Sequence, residues 1–350
     1  MEHANKMDDS QLGIQSVLAS LRKRCPAIRD FTFTCDAPNS RKDILSHFTK
    51  DLHEMQDLKS ICISQYPISF WTIQEISLAP KLQELTFDIG RLALNHIPPE
   101  IHFPCLVKCT VYGGAKNMAF QFIKSLKSPS FAELHTILDT SFSSHDIHEI
   151  LTILLHFEFT IKAITTTWLL DPEEDISLTN VEDHITANTL APLLHFSRIQ
   201  KFRLNIYASF QDIDDIFIQK LSMSCPQLTH FDLGSRGVIS LPTRVTLAGL
   251  VALAEHCQCL EKVGLFFDCS DAQWWHQKNI QSNPKTTHLS VGCSAIDIHN
   301  IDTIAKFLSK IFPALKYIHH QSNVDVDEDE DEDNERWYSV LQKVKQYNNI

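Results

Sequence analysis

Eighteen histidines and ten cysteines are the residues of this 350-residue chain best suited to chemistry, and their spacing decides whether a metal or a nucleophile can be assembled. Zinc sites draw ligands in close pairs, usually two of them. His145 and His148 in SHDIHEI would be neighbours on a helix, yet no third ligand lies near them and no H-E-x-x-H occurs. Cys105 and Cys109, and Cys257 and Cys259, each lack a second pair at zinc-site spacing. There is no G-x-S-x-G, no Cys-His nucleophile pattern, no G-x-G-x-x-G and no P-loop. The chain therefore reads as non-enzymatic, without cofactor or metal; a hydrolase or metalloenzyme with its residues hidden in loops is the opposing class.

Charge points elsewhere. The net charge is -12, but Asp325 to Glu335 contains nine carboxylates and no base, which leaves -12 + 9 = -3 for the rest. Such a run repels itself and is expected to be disordered. It also lacks the turn glycine and the closing glutamate of a calcium loop. A nearly neutral body without a basic stripe disfavours nucleic acid. No apolar run is long enough for a bilayer span, and MEHANKMDDSQLG has no apolar core of a secretory signal. A cytosolic or nuclear place with reduced cysteines is expected, Cys25 and Cys225 filling apolar slots ahead of prolines.

What must position any functional residues is a repeat. A phrase of the form P-x-L-x-x-h-x-h, with h apolar, recurs as APKLQELTF, FPCLVKCTV, CPQLTHFDL and weaker copies. Its leading positions are Ile28, Leu58, Leu82, Leu106, Leu134, Ile161, Ile199, Leu228, Leu260, Thr286 and Leu315, with gaps of 24 to 38 residues. Period-2 alternation within each phrase describes a short strand with one buried face. Segments with helical periodicity lie between phrases: DILSHFTKDLHEM, NMAFQFIKSL, HDIHEILTILL, TLAGLVALAEHC (capped by Thr246), DTIAKFLSKIF, and DIDDIFIQKLSMS with Ile213, Ile216, Phe217 and Leu221 on one stripe.

A strand leading into a helix every two or three dozen residues buries its apolar face only against its neighbours. The expected fold is α/β: a leucine-rich-repeat-like solenoid or horseshoe of about 11 irregular repeats, with a concave parallel sheet and convex helices. A doubly wound sheet shares the alternation but does not repeat one strand phrase.

The outward strand positions can then be read off. The first half gives Asp30, Thr32, Ser60, Glu84, Thr86, Asp88, Lys108, Thr110 and Tyr112, and the middle Thr136, Thr140, Thr165 and Thr167. From the seventh phrase on they are Lys201, Arg203, His230, Lys262, Phe266, His288, Tyr317 and His319. Cations and aromatics converge there, a composition suited to an acidic or phosphorylated peptide of a protein target. Trp274 and Trp275 cannot both face one core, so one of them either packs on a neighbouring helix or stays exposed.

TLAPLLHFSRIQKFRLNIYASFQDIDDIFIQKLSMSCPQLTHFDLGSRG and RVTLAGLVALAEHCQCLEKVGLFFD, within Thr189 to Asp268, resemble the repeat region of basidiomycete fungal F-box proteins. So does THLSVGCSAIDIHNIDTIAKFLSKIFPALKYI. The resemblance, covering the chain from about Leu18, implies the target-recognition part of a cullin-RING ubiquitin ligase subunit. A Skp-type adaptor would bind only through an F-box, and nothing ahead of Leu18 supplies one. A repeat scaffold without ubiquitin transfer is the alternative. The expected layout is a polar segment 1–17, repeats 18–322 with a loop insertion at about 168–190, a disordered acidic segment 323–336 and a short helix 337–350.

Overall fold

The structure is a computed structural model that describes residues 20, 24–25, 27–34, 55–89, 100–113, 116–139, 142–168, 184–206, 208–234, 243–271, 275, 280–321 and 332–349, the side chains of 65–67 and 211 excepted. The chain divides into two compact units, Met1–Thr140 and Ser141–Ile350.

In the first unit, β1 (Asp30–Thr34), β2 (Ser60–Pro67), β3 (Glu84–Asp88), β5 (Lys108–Tyr112) and β7 (Glu133–Leu138) pair in chain order, all parallel. The short strands β4 (Ile101–His102) and β6 (Leu126–Lys127) form a separate parallel pair. Helices α1 (Phe70–Ser77) and α2 (Lys116–Ser125) follow β2 and β5. Ser69 caps α1 by accepting from the Thr72 amide at 3.2 Å. Phe122 from α2 packs edge-on to Phe87 of β3, ring centres 5.1 Å apart.

In the second unit, β8 (Ala163–Trp168), β10 (Lys201–Asn205), β12 (His230–Leu233), β13 (Lys262–Leu265), β14 (His288–Gly292) and β15 (Tyr317–His320) pair in chain order, again all parallel. β9 (His184–Thr186) and β11 (Ser209–Asp212) form a separate small parallel pair. The helices are α3 (Ser144–Leu154), α4 (Ala187–Leu190), α5 (Asp215–Ser224), α6 (Leu247–His256), α7 (Ile301–Ile311) and α8 (Glu332–Asn348). Among the described residues no helix is long and apolar enough to cross a membrane.

One backbone contact recurs and fixes the repeat. The residue after each leading position donates its N–H to the carbonyl of its counterpart one repeat earlier: Gln83 to Lys59 at 2.7 Å, Val107 to Gln83 at 2.8 Å, Thr229 to Gln200 at 2.7 Å and Glu261 to Thr229 at 2.7 Å. In the fifth phrase the donor is Ala132, to Val107 at 2.8 Å. Its leading residue is therefore Phe131, fully buried, and not Leu134. Leu134 pairs with Cys109, a strand position. This three-residue correction turns β7 over: Thr136 is fully buried, and Glu133, His135 and Ile137 take the outward positions.

Thr286 occupies a leucine slot at the tenth phrase, wholly buried. Its hydroxyl donates to the Leu260 carbonyl at 2.8 Å, which removes the cost of a buried unpaired polar group. Helix starts also tie repeats together. Thr246 caps α6 as expected, and the Asp215 carboxylate on α5 accepts from both the Thr246 amide (2.8 Å) and hydroxyl (2.7 Å).

Several boundaries move. Ile216 is 61% exposed, so the buried apolar stripe of α5 is Phe217, Ile218 and Leu221, with Ile213 buried just ahead of the helix. Within the insertion expected at 168–190, residues 169–183 lie outside the described set, while 184–190 form β9 and α4. There Thr186 and Thr189 make a reciprocal capping box.

The C-terminal helix begins at Glu332, inside the stretch expected to be disordered. Its first turn is held because Asp333 accepts from the Ile296 amide at 3.2 Å, and Arg336 pairs with Asp333 at 3.3 Å and donates to the Ile296 carbonyl at 3.1 Å. Trp337 then buries its ring edge-on to Phe267, and its Nε1 donates to the Ser294 carbonyl at 2.7 Å. The polar segment 1–17, the helix expected in DILSHFTKDLHEM up to Glu54, the acidic run over 322–331, Thr140 and Trp274 lie outside the described residues.

Candidate functional site: the outward sheet face of the second unit

Parallel strands in common register place equivalent residues side by side, about 4.8 Å apart. In the second unit this makes a row of Lys201, His230, Lys262, His288 and Tyr317 across five neighbouring strands. It is about 19 Å long by that spacing. Lys201, Lys262 and Tyr317 are exposed, and the two imidazoles are half-buried between them. Val263, Leu289 and Phe231, one residue further along, are buried, so the row stands on a solid apolar floor.

Two residues further along runs a second row: Thr165, Arg203, Asp232, Gly264, Ser290 and His319. Here charge is already cancelled. Arg203 Nε lies 3.3 Å from Asp232 Oδ2, with the Asp232 side chain only 12% exposed. Phe266 follows β13 at the next outward position, half-buried, off both rows. All eight residues expected to converge thus share the parity of one face, with five in the first row, Arg203 and His319 in the second, and Phe266 beyond.

Aromatic stacking organises the end of the first row. The Tyr317 ring lies 4.6 Å from that of His288 at 27° and 6.4 Å from that of His319 at 10°. The electrostatics follow from proximity of cations. Partial burial, then the charges of Lys262 and Lys201, hold His230 below the ordinary imidazole value, with Glu261 opposing. His288 is lowered by burial, then by Lys262, His319 and Lys316. Both rings are therefore neutral near pH 7.

The first unit presents a different face. Its equivalent row is Asp30, Ser60, Glu84, Lys108 and Glu133, with three carboxylates against one lysine. Among the described residues no group of three or more His, Cys, Asp or Glu is placed to hold a metal ion. His145 pairs with Glu149 at 4.0 Å, whereas His148 Nδ1 meets the Asn188 carbonyl at 3.2 Å. Trp275 is buried against Phe307 of α7, ring centres 5.7 Å apart, with Lys310 over its face at 5.5 Å.

Register, phrase and helix order together define the architecture. Each unit is built as an α/β leucine-rich-repeat-like solenoid. No family model matches the chain, and no curated protein matches it. Solved structures similar to it include a leucine-rich-repeat protein of Leptospira interrogans, at 12% identity and a TM-score of 0.30, covering 93% of this chain and 97% of that one. The leucine-rich repeat-containing protein LegL7 of Legionella pneumophila aligns at 11% identity and a TM-score of 0.35, over 91% and 98%. The complex of Rad7 and Elc1 from yeast aligns at 12% identity and 0.32, over 91% and 90%. At such scores the fold stands on the strand register of the chain itself.

Sequence reasoning missed two features of the site. Asp232 is the first, although CPQLTHFDL puts it at the outward slot that Arg203 fills one phrase earlier. The second is the threonine ahead of each imidazole, Thr229 and Thr287, whose hydroxyls lie 3.0 and 2.8 Å from Nδ1 of His230 and His288.

Proposed function

We propose that the chain is a protein-interaction module that holds an acidic or phosphorylated segment of a protein target on the outward sheet face of its second unit. The observation that carries this reading is the outward row Lys201, His230, Lys262, His288 and Tyr317. Two cations two strands apart, about 10 Å, are within reach of carboxylates on alternate side chains of an extended peptide, whose Cβ atoms are about 7 Å apart, because both lysine and glutamate side chains are long. Tyr317 adds a flat apolar surface of the kind that anchors interfaces.

The resemblance of Thr189 to Asp268 to basidiomycete F-box proteins supports a narrower version, in which the bound target is one presented for ubiquitin transfer. A Skp-type adaptor would then join through an F-box encoded upstream. On that reading the repeats from about residue 18 are the recognition part, and the chain works in the cytosol or nucleus. The alternative is a scaffold that binds without ubiquitin transfer. Both versions share one test. Affinity purification with Lys201→Ala/Lys262→Ala and with Tyr317→Ala should lose partners that the unaltered chain retains; identical partner sets would remove the face from consideration.

A further inference from the structure

We propose that the outward face takes up its acidic partner together with protons on His230 and His288, so that the complex tightens as pH falls from 7.5 towards 5.5. This rests on the reading above, and deepens it from charge complementarity to a specific protonation state.

The geometry of the threonine ahead of His230 sets the starting tautomer. A hydroxyl has one hydrogen. The Gln200 carbonyl lies 2.9 Å from Thr229 Oγ1, and we assign the hydroxyl hydrogen to it, which leaves the same oxygen to accept from His230 Nδ1, 3.0 Å away. Nδ1 therefore carries the ring hydrogen, and Nε2, distal to the backbone, keeps its lone pair. The arrangement recurs two strands away. Thr287 Oγ1 lies 2.8 Å from His288 Nδ1 and 3.5 Å from the Glu261 carbonyl, the counterpart of Gln200.

An Nε2 lone pair repels a carboxylate oxygen, whereas an Nε2–H⁺ donates a charge-assisted hydrogen bond to it. Neutral rings thus oppose the partner that Lys201 and Lys262 attract, and protonated rings join them. The groups facing His230 are Lys201 and Arg203 on β10, Asp232 on its own strand, and Glu261 and Lys262 at β13. Those facing His288 are Lys262 at β13 and Lys316, Tyr317 and His319 at β15. Lysines prevail in both sets while the face is empty, which keeps protons off. Carboxylates laid across Lys201 and Lys262 reverse that field.

The sign follows by linkage. Both imidazoles sit below their ordinary value when the face is empty, and a bound anion raises them. Binding takes up protons, affinity is greatest below the empty-face value, and it falls as pH rises through the bound-state value. Each linked proton changes the dissociation constant by at most about tenfold per pH unit.

The experiment is calorimetric titration of the full chain with a hexaglutamate peptide at pH 7.5, 6.5 and 5.5. Glutamate titrates near 4.3, so the peptide stays charged throughout. Binding should tighten about tenfold from pH 7.5 to 5.5, with net proton uptake read from buffers of different ionisation enthalpy. In His230→Asn/His288→Asn, which keeps an amide N–H towards the threonines, the ratio of the dissociation constants at pH 7.5 and 5.5 should shrink below about twofold, whatever the affinity at pH 7.5. Imidazole ¹⁵N shifts should report the Nδ1–H form of His230. An Nε2–H form, or a full pH response in the asparagine variant, overturns the inference. Lys201→Ala/Lys262→Ala separates the two claims: its loss of binding at every pH supports the face, and unchanged binding, or no binding by the unaltered chain at any pH, removes the acidic-partner reading itself.

Discussion

Arg203 and Asp232 sit side by side on neighbouring strands, and the carboxylate Oδ2 lies 3.3 Å from the guanidinium Nε. The strongest anion-binding side chain on the face is therefore already engaged by an internal competitor. Asp232→Asn should release it and remove one negative charge from the second row. At a pair whose guanidinium still reaches solvent such a change amounts to about 1 kcal/mol, roughly fivefold tighter hexaglutamate binding. Titration at constant ionic strength checks this, and an unchanged or weaker affinity would show that Arg203 does not reach the ligand.

Trp337 is 1% exposed, is packed on Phe267 and is hydrogen-bonded to the Ser294 carbonyl. It fastens α8 to the last repeats. Trp337→Ala should cost about 3–5 kcal/mol, read by guanidinium unfolding. A loss below about 1 kcal/mol would mean that α8 contributes little to the unit's stability.

Burial separates the thiols. Cys225 and Cys257 are pushed up to about 12, and Cys109 and Cys269 are likewise raised by desolvation. Cys25 and Cys259 are exposed. At pH 8 iodoacetamide should modify the exposed Cys25 and Cys259 well before Cys225 and Cys257, whose burial both blocks access and leaves little thiolate. Peptide mass spectrometry reads the order; early modification of Cys257 would contradict the packing.

The alternation of buried and exposed residues made most strands legible, because one strand phrase carries both the leading slot and the period-2 pair. It failed where chemistry substitutes for hydrophobicity. In FAELHTILD two registers are available, and the apolar Leu134 looks like the leader; only the Ala132 to Val107 hydrogen bond shows that Phe131 is. Thr136 then fills a core slot that periodicity assigns to the surface.

Asp333 and Arg336 illustrate the opposite failure. Read along the chain, they belong to a self-repelling acidic run; in space they meet Ile296, about 40 residues away in sequence, and begin a helix. No local pattern encodes that contact. That the eight candidate residues share one face was legible because strand parity alone puts them there. The Arg203–Asp232 pair and the threonine–histidine contacts depend on register between strands, which the sequence shows only once the phrases are aligned.

The central claim is that the Lys201–Tyr317 row of the second unit is the surface that meets an acidic partner. Lysine acetylation footprinting of the full chain, with and without saturating hexaglutamate at pH 6, tests it most directly. Bound peptide should slow acetylation of Lys201 and Lys262, whose ammonium groups would then donate charge-assisted hydrogen bonds to carboxylates, and leave Lys59 of the first unit unchanged. Equal protection at all three lysines, or none at Lys201 and Lys262 under conditions where calorimetry shows binding, would place the partner elsewhere.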